Sequence, residues 1–238
     1  LPHADFSGRT NAGDFADAVT EMDFRVGQLL DALDTLGRAK DTIVIFASDN
    51  GPEFRRPWRG TAGPWQGTYH TAMEGGLRAP FMIRWPGSIP AGRVSNEIVH
   101  VCDLYTTLAR IAEAEVPHDR PLDGIDQLDF FSGRAEHSKR EGFLYYIKNE
   151  LRAVKWRNWK MHLIWEREPN EGPLHLEAPY LFNLLQDPKE ETDLNTSASW
   201  ARTPIRRLMH AFQESLKKFP PIPPGAPDDF DPSRAATR

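Results

Sequence analysis

The 238 residues include one cysteine, no apolar run approaching the ~18 residues that a membrane-spanning helix requires, and no large excess of charge of either sign. The lone Cys102 excludes an internal disulfide framework. It lies in Ile98-Val-His-Val-Cys-Asp, where a small buried hydrophobe is expected rather than a reactive thiol. A net charge of -5 and a pI near 5.9 give no electrostatic footprint for nucleic acid. The first residue is Leu1 and not a methionine, so the lack of a leader-like segment carries no information about compartment. Localisation and oligomeric state stay open. Against these absences stand 39% apolar and 11% aromatic residues, enough for a substantial core.

The organising stretch is Ile43-Val-Ile-Phe-Ala-Ser-Asp49-Asn50-Gly51, an apolar run that ends abruptly in a carboxylate, an amide and a glycine. Such a run reads as a buried strand delivering two oxygen ligands to the carboxyl edge of a sheet, where α/β folds bind ligands. Asn-Gly after an apolar run is equally a hairpin-turn signal, and on these residues alone both readings are open. Upstream, Phe15, Val19, Met22, Val26, Leu29, Leu30, Leu33 and Leu36 recur at helical spacing, which predicts a helix over about 14–36 with its stripe against a sheet. Asp14 is the expected N-cap and Gly37 the stop. Helix, short connection and strand 42–47 then form an αβ unit of a largely parallel sheet.

Residues 51–77 lose periodicity and turn to Gly, Pro, Trp, Arg and Thr, a loop long enough to expect function in it. Arg55, Arg56 and Arg59 within it have the donor fork that suits a sulfate or phosphate oxyanion, although surface charge is the simpler role for at least two of them. Residues 80–85 read as a strand closed by Trp85-Pro-Gly87, and 98–101 as another short strand. Asp103 is the expected cap of a helix burying Leu104, Leu108, Ile111 and Ala112. After an irregular polar stretch over 117–142, the runs 143–147, 151–156 and 159–165 alternate across brief polar turns, the pattern of an antiparallel meander. A fourth strand is expected at 180–184. Thr203 and Pro204 open an amphipathic helix carrying Ile205, Leu208, Met209, Phe212 and Leu216. A proline-rich end follows from residue 219.

These segments together resemble the type I sulfatases (arylsulfatases), members of the alkaline phosphatase superfamily. The resemblance rests on Asp41-Thr-Ile-Val-Ile-Phe-Ala-Ser-Asp-Asn-Gly-Pro52, Glu74-Gly-Gly-Leu-Arg-Ala-Pro80, Arg84-Trp-Pro-Gly87, Leu122-Asp-Gly-Ile-Asp126 and the stretch Leu181-Phe-Asn-Leu-Leu-Gln-Asp-Pro-Lys-Glu-Glu-Thr-Asp-Leu194, in that order. It implies an α/β fold: the second half of an alkaline-phosphatase-like, mostly parallel sheet with flanking helices, followed by a small antiparallel sheet and a C-terminal helix. The expected division is 1–137 for the catalytic-domain half, 138–218 for a small α+β subdomain and 219–238 for the tail. The implied activity is hydrolysis of a small-molecule or carbohydrate sulfate ester by a formylglycine nucleophile beside a bound Ca²⁺, with Mg²⁺ as the other ion such ligands suit. Asp49 and Asn50 are the implied metal ligands.

The formylglycine precursor in that family is a Cys or Ser in Cys/Ser-x-Pro-x-Arg. Cys102 is followed by Asp103 and Leu104 and does not match, so the nucleophile is expected upstream of this chain, which is read as a C-terminal portion. The family's Lys five residues before the Glu-Gly-Gly motif falls here on Tyr69, which carries no positive charge. His70, Arg59 and Arg56 are the candidates to hold the sulfate in its place. His100 and His162 sit among apolar residues and are expected to be satisfied core histidines. Two alternatives remain: a phosphonate or phosphodiester hydrolase of the same superfamily, and a non-catalytic binding module should the chain be complete.

Overall fold

The computed structural model describes residues 1–53, 60–169, 171–223 and 225. Its first part is built around helix α1 (Asp14–Thr35), strand β1 (Val44–Ala47), the single-turn helix α2 (Glu74–Leu77) and strand β2 (Phe81–Arg84). Helices α3 (Asp103–Ile111) and α4 (Leu128–Phe131) follow. The second part is a four-stranded sheet of β3 (Gly142–Ile147), β4 (Glu150–Trp156), β5 (Trp159–Trp165) and β6 (Leu174–Asn183), closed by helix α5 (Arg202–Lys218). None of the described helices is long and apolar enough to cross a membrane.

Within the α/β first part, β1 and β2 pair antiparallel, from Val44 opposite Arg84 to Ala47 opposite Phe81. A parallel unit was expected at this point. Among the described residues these two strands form a sheet by themselves, joined through residues 48–80 and not by a crossover helix. This connection also removes the hairpin reading of Asn50-Gly51, because the chain does not reverse there into β2. The helix predicted over 14–36 is present, but its stripe is not buried: Leu29 is 67% and Leu36 71% exposed, and Phe15, Val19 and Met22 are open as well. A 22-residue helix is ~33 Å long, whereas two strands of four residues span only ~13 Å, too short a surface to cover it. Its buried residue is instead Asp17, whose carboxylate accepts the backbone N–H groups of Gly8 and Thr10 and the Thr10 hydroxyl, folding the entering loop onto the first turns.

Two further expectations are corrected. Residues 98–101 form no strand; their backbone leads into α3, and the His100 N–H donates to Asp103 Oδ2 at 2.9 Å. The face that α3 buries is polar, made by Asp103 and Thr107, while Leu108 stays exposed. Asp103 is fully enclosed and gathers the Ile125 N–H and the Arg140 guanidinium in addition, so it ties α3 to the chain running toward β3. Burial alone would raise its pKa; the Arg140 bonds and the backbone donors overturn that and hold the carboxyl below its ordinary range.

The meander is legible strand for strand, in the order β3-β4-β5-β6. Its alternation gives each face a separate duty. Val154, Met161 and Leu181 point to α5, where Ile205 completes a core with Ala198 and Ala201. Tyr145 and Ala153 lie on the other face against Ala72, beside α2. The sheet is therefore held between its own helix and the segment that ends the long loop. Ile205 has no exposed surface, and Ile205→Ala is expected to cost about 2–5 kcal/mol, read as a lower urea midpoint with an unchanged slope.

Candidate active site at the end of β1

Strand β1 stops where its partner stops donating. The Ser48 N–H makes the last ladder bond, to Pro80 O at 3.2 Å, and Pro80 has no N–H with which to continue. The chain then bends, with Ser48 Oγ donating to Asn50 O at 3.1 Å and lying 3.5 Å from Asp49 Oδ1. Asp49 projects into solvent and has no ion-pair partner among the described residues. The Asn50 side-chain amide donates to Gly51 O at 2.9 Å, which commits its nitrogen and leaves Oδ1 without a partner among the described residues. A carboxylate and an amide oxygen, both uncommitted and adjacent, are hard donors of the kind Ca²⁺ and Mg²⁺ select. They fit as part of such a site only. No group of three or more potential ligands occurs among the described residues, and Ca²⁺ takes roughly six to eight oxygens.

The long loop is packed against this strand end by backbone contacts. The Gly51 N–H donates to Gly76 O at 2.9 Å, Gly75 N–H to Gln66 O at 2.7 Å and Tyr69 N–H to Pro52 O at 2.9 Å. Gly51 has no room for a side chain, since a Cβ there would lie 1.9 Å from Gly75 O. Tyr69 and His70 thus sit on a segment bonded to Pro52. Their rings are 4.1 Å apart, and His70 is exposed with φ +68°, a left-handed conformation that turns the chain sharply there. Arg55, Arg56 and Arg59 lie outside the described residues. Arg78, at the end of α2, stacks on Trp65 at 4.4 Å and bonds Glu74 at 3.1 Å. Asn50, Gly51, Trp65 and Arg78 line an open cleft of about 1970 Å³, shared with Tyr145 and Lys155 from the second sheet.

Behind the cleft lies a cluster that the sequence reading passed over. Glu74, Lys160, Glu190 and His162 are all at most 1% exposed, and Tyr145 and Lys155 are nearly so. Glu74 receives the Tyr145 hydroxyl at 2.5 Å, Lys155 Nζ at 2.7 Å and Lys160 Nζ at 3.2 Å. Glu190 receives Lys160 Nζ at 3.2 Å, His162 Nε2 at 2.5 Å and the Glu74 N–H at 2.8 Å. Burial by itself would raise the pKa of Glu74, yet Lys160 and Lys155 hold it far below the carboxylate range. Burial lowers the pKa of His162 against the pull of Glu190, and its Nε2–H donates a hydrogen bond to that carboxylate. Its Nδ1 has no partner among the described residues. His162 is thus buried as expected but only half satisfied. His100 is half-buried, outside any strand, with Nδ1 2.7 Å from Cys102 Sγ, and burial pushes that thiol's pKa up. A raised pKa keeps Cys102 protonated and unreactive.

The architecture is an alkaline-phosphatase-like α/β fold with an appended antiparallel sheet. It superposes on the crystal structure of a sulfatase from Pseudoalteromonas sp. with a TM-score of 0.86 and 31% identity, over 93% of this chain and 47% of that one. The sulfatase family model matches residues 4–114, and the model for the C-terminal region of aryl-sulfatase matches 138–226. The chain belongs to the sulfatase family. It is 32% identical to steryl-sulfatase of Homo sapiens over 95% of its length, and 33% identical to N-acetylgalactosamine-6-sulfatase of Rattus norvegicus over 92%. It spans less than half of these relatives, 43% and 46% of them respectively. A phosphonate monoester hydrolase of Agrobacterium radiobacter, at 22% identity and a TM-score of 0.56, shares the fold.

Proposed function

We propose that the protein carrying this chain is a sulfuric ester hydrolase acting on a small-molecule or carbohydrate sulfate ester, and that Asp49 and Asn50 are two ligands of its Ca²⁺. The observation that carries this reading is the pair of uncommitted oxygens at the end of β1, in a chain that belongs to the sulfatase family. When bound, Ca²⁺ would supply Lewis-acid polarisation of a sulfate oxygen. The chain's own contribution is to position that pair: the Ser48 hydroxyl fixes the bend, Gly51 O orients the Asn50 amide, and the glycines of α2 pack against Gly51. His70 is the described residue we assign to the sulfate, with Arg56 and Arg59 as the other candidates. Its exposed imidazole, when protonated, would place a donor and a positive charge near a sulfuryl oxygen. The nucleophile, a formylglycine, comes from outside residues 1–238, since Cys102 is followed by Asp103 and Leu104. The division of labour follows the same lines: 1–137 as part of the catalytic domain, 138–218 as a supporting subdomain and 219–238 as a tail.

The test is a specificity comparison on the full-length protein. Its kcat/KM for an aryl sulfate is expected to exceed that for an aryl phosphonate or phosphodiester by at least ~10-fold. A reversed ratio would move the assignment to the phosphonate and phosphodiester hydrolases. No turnover of any of the three substrates would favour a binding module.

A further inference from the structure

We propose that Glu74 is a positioning residue for the Asp49–Asn50 pair, and that Tyr145, Lys155, Lys160 and Glu190 act through it, so that the second sheet sets the geometry of the metal ligands. The proposal rests on the reading of Asp49 and Asn50 as ligands. It is carried by an unbroken series of short contacts. Lys155 on β4 and Lys160 on β5 grip the Glu74 carboxylate, and Glu190 accepts the Glu74 N–H at 2.8 Å, so both the side chain and the backbone at the start of α2 are fixed from the sheet. The next two residues have no slack. A Cβ on Gly75 would lie 2.6 Å from Gln66 O, and one on Gly76 2.4 Å from Thr68 O. Gly76 O in turn accepts the Gly51 N–H at 2.9 Å, and Gly51 O accepts the Asn50 amide at 2.9 Å. A displacement of Glu74 therefore reaches Asn50 through two residues of α2 and two hydrogen bonds, with close glycine contacts that leave little room to absorb it.

The residue types fit that duty better than simple support. A core position needing only stability would be filled more cheaply by apolar side chains, because burying two carboxylates and two ammonium groups offsets most of their attraction. What such a cluster does provide is direction: six donors, Arg78 Nε among them, converge on two carboxylates from fixed angles, which locates α2 along the sheet as well as against it. Orienting groups behind metal ligands commonly change metal affinity by about 10–100-fold when they are removed.

The experiment measures Ca²⁺ affinity of the full-length protein by chelator competition, well below its melting temperature. Glu74→Gln and Tyr145→Phe are compared with Ile205→Ala, a control that loses stability on the far face of the same sheet. Glu74→Gln is expected to weaken Ca²⁺ binding about 10–100-fold and Tyr145→Phe by a smaller factor, while Ile205→Ala leaves it within about twofold of wild type. Tyr145→Phe removes a single hydroxyl and serves should Glu74→Gln fail to fold. Unchanged affinity in folded Glu74→Gln or Tyr145→Phe would overturn the proposal, as would a loss in Ile205→Ala equal to theirs at matched stability. Wild-type protein that binds no Ca²⁺ would overturn the ligand reading itself, and the positioning role with it.

Discussion

Asp49→Ala in the full-length protein is expected to abolish bound Ca²⁺ and to lower sulfate-ester turnover by more than ~100-fold while leaving the protein folded. This outcome has two halves, one set by the metal and one by the fold. Of the two donors at the end of β1, only Asp49 carries charge, and an amide oxygen alone offers a divalent cation little to offset the loss of its hydration shell. The fold, in contrast, asks almost nothing of Asp49. It is exposed, outside the β1–β2 ladder, and its one hydrogen-bond contact among the described residues is Ser48 Oγ at 3.5 Å. Metal content by atomic emission, turnover of an aryl sulfate and thermal melting, taken on one preparation, separate the two halves. Wild-type Ca²⁺ content and activity in the variant would sink the ligand assignment; a large fall in melting temperature with metal retained would recast Asp49 as structural.

Why Asp49 and Asn50 stood out in the sequence, and the cluster behind them did not, has a physical reason. The strand end is marked locally: an apolar run stops at polar residues, and both the run and its terminus are contiguous. The meander is legible for the same reason, since the alternation in β4 and β5 and the polar turn at Arg157-Asn158 are all short-range. Strand β6 starts earlier than its apolar core suggested. Pro179 lies within it and is accommodated because β6 is at the sheet edge, where a missing N–H is tolerated. Glu74 is different, because its partners Lys155 and Lys160 lie 81 and 86 residues away. Nothing near a lysine in a strand announces that its neutralising carboxylate arrives from another part of the chain. One signal was available: Lys155 and Lys160 occupy paired positions across a two-residue turn, on a face otherwise filled by Tyr145 and Ala153. Two lysines facing inward together require acids. The helix α1 shows the converse limit, for its periodicity identified the helix but said nothing of what lies against its stripe.

Lys160→Met is expected to destabilise the protein by about 3–5 kcal/mol near neutral pH, because Glu74 and Glu190 are then left enclosed without the ammonium group that bridges them. Methionine keeps most of the volume, so the loss is electrostatic and not a cavity. Both carboxyls have folded-state pKa values below their ordinary 4.5, so their contribution is present above that pH and is lost as pH falls through the folded values. Without Lys160, burial dominates and both folded values rise, so the variant binds protons earlier and gives up less stability on acidification. The gap between wild type and variant should therefore be widest above about pH 6 and narrow toward pH 3. Urea unfolding at several pH values reads this directly. Adding Glu190→Gln to Lys160→Met removes one stranded charge but keeps an acceptor for the Glu74 N–H, so the double variant should lose less than the sum of the two single changes. Strict additivity, or a gap that does not change with pH, would mean that the bridge contributes as packing rather than as charge.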